Sequence, residues 1–207
     1  MQKYNFTVPD ICDAFPDDVL IGNIFLNSYG GIDRFCGEIR TANCPHSNSI
    51  VKEMFEEDGE GKVLVINHAG DKLCSMVGDQ VAQKAYSNNW RGIFVNGYIR
   101  DIEVIKDISI GVYAKNAYPM KTNKSVGVGV MDKDITIGIV TISSGNWIYV
   151  DTDGWVVSKK KLELQSFNFF VFLFPNSFNP NFKILSVFFI CRIVFIFKIL
   201  WNIVFFN

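Results

Sequence analysis

The sequence changes character at Gln165, and that break decides how much chain is left to build a domain. Residues 166–207 hold thirteen of the nineteen phenylalanines and no Asp, Glu, Gly, Ala or Thr. Ile, Phe, Asn, Lys and Leu dominate there, residues with AT-rich codons. We expect this segment to lie outside the fold, as translated non-coding sequence. The alternative is a membrane anchor, because Ile184 to Phe206 matches the ~20 apolar residues that cross a bilayer. Against an anchor, Arg192 and Lys198 sit inside the run, each costing about 2.5–3.5 kcal/mol near the bilayer centre. Pro175 and Pro180 interrupt its first half.

Residues 1–165 are enough for one domain with its own core. The whole chain carries a formal charge of −1 with pI near 6.1. Setting aside Lys183, Arg192 and Lys198 leaves 17 basic against 21 acidic residues, a net charge of −4 for residues 1–165. No basic excess is present to neutralise a phosphate backbone, so direct nucleic-acid binding is not expected. Met1 to Asp18 shows no basic stretch followed by an apolar run, so no secretory signal is read there. The five cysteines (Cys12, Cys36, Cys44, Cys74, Cys191) are odd in number and form no C-x-x-C pair. That pattern fits free thiols in a reducing, cytoplasmic setting. Cys44-Pro45-His46 falls short of the four ligands of a structural zinc site. With only His46 and His68 in the chain, a histidine-based triad is a poor fit.

Periodicity gives the elements. A short helix opens at Asp10 to Phe15. Ser47 to Glu57 places Ile50, Val51, Met54 and Phe55 at helical spacing, with Ser47 as a candidate cap. Lys62 to Asn67 and Ile93 to Gly97 are apolar runs that read as buried strands. His68 to Val77 reads as a loop or short hairpin. A helix begins at Gly78 and ends near Asn88-Asn89, and another follows Arg100-Asp101 to Lys106. Strand and helix alternating in this way imply an α/β arrangement with parallel pairing. Ile110 to Ala114, Ile135 to Ile142 and Trp147 to Val150 make the second half β-rich, and Asp153-Gly154 reads as a hairpin turn.

Two segments are able to carry chemistry. Gly78-Asp79 stands at a helix N-terminus, where free backbone N–H groups suit a carboxylate or phosphate. The plainer reading is that Gly78 makes the turn and Asp79 caps the helix. Arg100-Asp101 stands at the carboxyl end of a buried strand, where ligands of open α/β sheets collect. An Arg there can grip a carboxylate through two N–H groups, and an adjacent Asp can hold Mg²⁺. The plainer reading is a surface ion pair that caps the next helix. Other phosphate motifs are missing: no G-x-G-x-x-G follows a strand and no G-x-x-x-x-G-K-[ST] exists. A methyltransferase reading lacks a cofactor-binding glycine motif. Gly127 and Gly129 alternate with valines and read as close-packed backbone, and Asp151 and Asp153 as shaping a turn.

The runs GKVLVINHAG (61–70), GDQVAQKA (78–85) and NWRGIFVNGYIRD (89–101) resemble the RraA family, named for a regulator of ribonuclease E activity. The family includes the 4-hydroxy-4-methyl-2-oxoglutarate aldolases. NSYGGIDRFCGEIRTANC (27–44) and DTDGWVVS (151–158) extend the likeness to about residues 4–164. The resemblance implies a single domain of the swivelling β/β/α type over residues 1–165, assembled as a homotrimer with sites at subunit boundaries. It implies that pyruvate rests on the backbone amides of Gly78, Asp79, Gln80 and Val81 and on Arg100. It also implies that Asp101 holds a divalent cation, Mg²⁺ or Mn²⁺. The expected activity is cleavage of 4-hydroxy-4-methyl-2-oxoglutarate to two pyruvates, with oxaloacetate decarboxylation as a side reaction. Asp79 and Arg100 are the expected catalytic residues. The alternative is a protein that binds and inhibits ribonuclease E; some members so associated lack the metal-binding Asp, which this chain keeps. One stretch departs from the family. Ile66-Asn67-His68-Ala69-Gly70 stands where an acidic, Gly-rich turn is usual, which leaves the shape of the pocket open.

Overall fold

The computed structural model describes residues 6–123 and 128–164. The expectations for residues 166–207, for Cys191 and for Gly127 lie outside the described residues. Among those described, no helix is long and apolar enough to cross a membrane.

Four parallel strands form the frame: β3 (Phe35–Cys44), β4 (Val63–His68), β6 (Gly92–Ile99) and β7 (Gly111–Ala117), hydrogen-bonded in that order. On the β3 side the sheet continues through β11 (Trp147–Asp151), β12 (Gly154–Ser158) and β1 (Val19–Ile21), all antiparallel. On the β7 side it ends in the short antiparallel β2 (Asn27–Ser28), and β8 (Val130–Met131) pairs antiparallel with the end of β3. The helices are α1 (Val8–Ala14), α2 (Ser49–Met54), α3 (Asp79–Ser87) and α4 (Ile102–Ile105).

Strand alternation sorts the core into layers. On β4, Leu64 and Ile66 face the cluster that contains Ile50, Met54, Ala82 and Ile105 from α2, α3 and α4. Val63 and Val65 face the opposite cluster. That second cluster is all β: it joins β11 and β12 to the hairpin of β9 (Ile135–Ile137) and β10 (Val140–Ile142). Helix layer, parallel sheet and β layer together make the expected β/β/α arrangement. Gly92 and Gly111 stand side by side on β6 and β7. A Cβ on either would meet the Phe35 ring, at 2.4 and 2.1 Å respectively, so the absent side chains make room for that ring.

Two sequence readings are corrected. His68 to Val77 contains a strand, β5 (Ser75–Val77), parallel to β6. Ser47 is not the cap of α2: Asn48 holds that position, and the Ser47 hydroxyl accepts from Ser49 N–H at 3.2 Å. The β-rich run at 135–142 folds as the β9–β10 hairpin. Periodicity does not announce β3, the longest strand among the described residues, because its inward positions include Gly37 and Thr41 as well as Phe35 and Ile39. Asp151 does more than shape a turn. It is 2 % exposed and accepts N–H bonds from Val8 at 2.7 Å and Asp153 at 2.9 Å, which fixes the start of α1 to the end of β11. Gly129 is close-packed as read, since a Cβ there would lie 2.5 Å from the Asn43 carbonyl.

Candidate active site

Parallel strands end on the same side, and this geometry builds the site. β5 and β6 pair with Val77 opposite Ile99, so the residues that follow each strand emerge together. Gly78-Asp79 therefore meets Arg100-Asp101 although 22 residues separate the two pairs in sequence. Arg100 N–H donates to the Val77 carbonyl at 3.0 Å and closes the junction.

Gly78 takes the N-cap position of α3 in an extended conformation. Asp79 is the first helical residue, and its Oδ1 accepts from Gln80 N–H at 2.7 Å, so its carboxylate serves the first turn from inside the helix. Asp101 takes the N-cap position of α4 with φ of 60°, a left-handed conformation that Asp tolerates better than most residues. It makes no side-chain cap to α4. Its Oδ2 instead lies 3.2 Å from Arg100 Nε and 3.5 Å from Asp79 N. A Cβ on Gly78 would sit 2.7 Å from that oxygen and 3.3 Å from Arg100 Nε, so any larger residue here would push the Asp101 carboxylate away from α3.

Gly78, Asp79, Gln80, Val81 and Arg100 all line one cavity of about 610 Å³. Asp101 is not on its wall; it stands behind Gly78 and against the first N–H of α3. The structure thus gathers the residues singled out from sequence into one place. Asn67 and His68, from the stretch that departs from the family pattern, do not line the cavity. Asn67 belongs to a ladder on the β-layer face: it donates to Asn43 Oδ1 at 2.8 Å and accepts from Asn96 Nδ2 at 2.6 Å. The His68 ring lies with Nε2 3.6 Å from Cys74 Sγ, while His46 Nε2 pairs with Asp71 at 3.1 Å.

The sequence reading missed the rest of the wall: Asn48 and Lys52 from α2, Ser75 from β5, and the segment Met120 to Asn123. Asn48 is 6 % exposed and holds three of these pieces together. Its Nδ2 donates to the Met76 carbonyl at 2.7 Å, and its Oδ1 accepts from the Thr122 hydroxyl at 3.0 Å. The only local signal was the i, i+4 spacing of Asn48 and Lys52 on one helix. Nothing local announces that residues 120–123 will face them.

As possible metal donors, the site offers oxygen. Among the described residues no group of three His, Cys, Asp or Glu is placed to hold a metal ion. Two carboxylates stand at the site: Asp79 on the wall of a cavity open to water, and Asp101 behind Gly78. That donor set fits a hard divalent cation such as Mg²⁺, which needs one or two carboxylates and keeps its other positions for water and substrate oxygens. It does not fit a thiolate- and imidazole-bound metal.

A β/β/α domain with a helix N-terminus, an Arg and an Asp gathered at adjacent strand ends is the class of protein that the fold and site define. Residues 8–157 match the RraA-like family model, described as Aldolase/RraA, and the chain belongs to that family. A Pseudomonas putida protein named "Putative 4-hydroxy-4-methyl-2-oxoglutarate aldolase" is 42 % identical over 164 residues, covering 79 % of this chain and 99 % of its own length. A protein of the same name from Hahella chejuensis is 40 % identical over 159 residues, covering 77 % of this chain and 96 % of its own. Among solved structures, the RNA-processing inhibitor RraA from Thermus thermophilis superposes with a TM-score of 0.73 at 28 % identity, over 79 % of this chain and 99 % of that one. A structure from Geobacillus kaustophilus described as an S-adenosylmethionine:2-dimethylmenaquinone methyltransferase gives the same TM-score at 34 % identity, over 76 % of this chain and 97 % of that one.

Proposed function

We propose that this chain is a divalent-metal-dependent lyase that cleaves 4-hydroxy-4-methyl-2-oxoglutarate to two pyruvates and also decarboxylates oxaloacetate. The observation that carries the reading is the meeting of Gly78-Asp79 with Arg100 on one cavity wall and Asp101 directly behind it, in a chain about 40 % identical to proteins named as aldolases.

Both reactions leave a pyruvate enolate, and the barrier is the charge that builds on its oxygen. The α3 N-terminus, on the cavity wall through Gly78 to Val81, turns the positive end of the helix dipole toward the substrate's 2-oxo carboxylate. Arg100 places a permanent positive charge where the enolate oxygen develops. Asp79 takes the 4-hydroxyl proton as the C3–C4 bond breaks, directly or through a water, and a proton is returned to C3 of the enolate. Decarboxylation breaks a carbon–carboxylate bond and needs no such base. Mg²⁺ or Mn²⁺ held by Asp101 would supply Lewis-acid stabilisation at the 2-oxo group.

The test is pyruvate release by the full chain from both substrates, with and without Mg²⁺. Asp101→Ala is expected to remove the metal stimulation and the calorimetric signal of Mg²⁺ binding while circular dichroism is unchanged. Equal activity with and without Mg²⁺, or an active Asp101→Ala variant, overturns the metal assignment. No pyruvate from either substrate overturns the lyase reading.

The likeness to the Thermus RNA-processing inhibitor supports a second reading, regulation of ribonuclease E by direct docking. Inhibition of purified ribonuclease E by an Asp101→Ala variant would separate docking from catalysis. We also propose a homotrimer in the cytoplasm and a domain ending near residue 165. The family match ends at residue 157, and Cys12, Cys36, Cys44 and Cys74 are free thiols. Residues 1–165 expressed alone are expected to sediment as a trimer and retain activity; an inactive or monomeric product overturns that boundary or that assembly.

A further inference from the structure

The cavity's charge runs against that of the domain around it. Its wall carries three cationic side chains, Lys52, Arg100 and Lys121, against one carboxylate, Asp79. Arg100 is accounted for: it lies next to the α3 N-terminus and pairs with Asp101. Lys52 and Lys121 are both exposed, and neither forms an ion pair among the described residues. Lys62, Lys84 and Lys106 each hold a carboxylate, those of Glu60, Glu56 and Glu103.

The two lysines are also positioned. Lys52 lies one helical turn beyond Asn48, with its N–H on the Asn48 carbonyl at 3.1 Å. Lys121 lies next to Thr122, whose hydroxyl donates to Asn48 Oδ1 at 3.0 Å. Its backbone is bridged to Ser75 of β5, and Ser75 N–H donates to the Met120 carbonyl at 2.8 Å. One buried asparagine therefore ties the backbones that carry both ammonium groups to the strand leading into Gly78. Two cations with no ion pair among the described residues, beside a site that suits a carboxylate, match a second anionic group on the same ligand.

We propose that Lys52 and Lys121 form a subsite for the far carboxylate of the substrate, so that the site selects 2-oxo dicarboxylates over 2-oxo monocarboxylates. This rests on the lyase reading above and names the groups that set its substrate class. The chemistry divides the two reactions. In aldol cleavage the far carboxylate stays on the departing fragment and keeps its charge throughout, so the lysines hold substrate and transition state alike. In oxaloacetate decarboxylation the far carboxylate is the group that leaves as CO₂, and its charge passes to the enolate. The ammonium groups then bind the ground state better than the transition state.

The experiment measures binding and turnover on the full chain with Mg²⁺. 2-Oxoglutarate is the binding probe because it has no 4-hydroxyl group and is not a β-oxo acid, so neither reaction consumes it. Pyruvate is the monocarboxylate control. The unaltered protein is expected to bind 2-oxoglutarate at least tenfold more tightly than pyruvate. Lys52→Met and Lys121→Met should each reduce that ratio, the double variant should bring it near one, and pyruvate affinity should hold within about twofold. Lys62→Met, which removes a charge already paired on the surface, should keep the full ratio. In turnover, KM for 4-hydroxy-4-methyl-2-oxoglutarate should rise about tenfold in each single variant with a smaller change in kcat. The kcat for oxaloacetate should stay level or rise. A 2-oxoglutarate preference that survives in the double variant, or equal binding of both acids by the unaltered protein, overturns the proposal. If the preference exists and disappears with the lysines while no substrate is turned over, the subsite stands and the lyase reading falls.

Discussion

Asp101 turns its carboxylate away from the helix it precedes and toward the backbone N–H of Asp79, 3.5 Å away. A residue at the start of α4 thereby faces the start of α3, and Gly78 is the gap through which it does so. Gly78→Ala should close that gap, because its Cβ would press on Asp101 Oδ2 at 2.7 Å. Displacing catalytic groups by about 1 Å typically costs about 10²-fold in rate. We expect kcat/KM to fall by that order while the melting temperature drops only a few degrees. Near-normal kcat/KM would show that the approach of Asp101 to α3 does not matter to the reaction.

Asp79 and Arg100 separate by reaction. Asp79→Asn should harm aldol cleavage more than oxaloacetate decarboxylation, since only the former has a hydroxyl proton to remove. Steady-state kinetics on the two substrates check this, and equal losses would reduce Asp79 to its hydrogen bond with Gln80 N–H. Arg100→Lys replaces a planar fork by a point charge. Loss of one charge-assisted hydrogen bond, about 1.5–3 kcal/mol, predicts a fall in kcat/KM of about ten- to a hundredfold in both reactions.

Asp151 should matter to stability and little to chemistry. Asp151→Ala leaves the N–H groups of Val8 and Asp153 without their buried acceptor. Such a loss costs about 1–3 kcal/mol for each buried group left unpaired. Chemical denaturation should show a drop of about 1–3 kcal/mol, carried by the buried Val8 N–H because Asp153 is exposed to water, with kcat retained at low temperature. An unchanged unfolding midpoint would mean that α1 is not anchored there.

His68 predicts an acid-sensitive edge to stability. Burial, then the neighbouring His46, holds its imidazole below the ordinary histidine value, while a hydrogen bond with Pro45 acts the other way. The unfolded chain therefore binds the proton more readily than the folded one. The folded state keeps its full advantage above about pH 6.5 and loses it as pH falls through the lowered folded value. Thermal unfolding from pH 7.5 to pH 5 should show a falling Tm, with a shallower slope in His68→Gln. Identical slopes would assign the acid sensitivity to other groups.

Sequence alone marked the candidate residues and the alternation of strand and helix that makes an α/β sheet. Buried runs such as Val63 to Ile66 and Ile93 to Val95 carry their own signal, because a strand covered on both faces is apolar at every position. Gly78-Asp79 and Arg100-Asp101 were legible for a similar reason: each sits at an element boundary that local residue types mark. The tertiary structure decided what those residues meet. The parallel pairing of β5 with β6, hidden in a segment that reads as a loop, brings the two pairs together. The burial of Asn48 against Met76 and Thr122 brings Lys52 and Lys121 to the same cavity. These are contacts between segments up to 74 residues apart. Periodicity reports only which way a side chain faces along its own element, so the partner across the cavity is settled by packing.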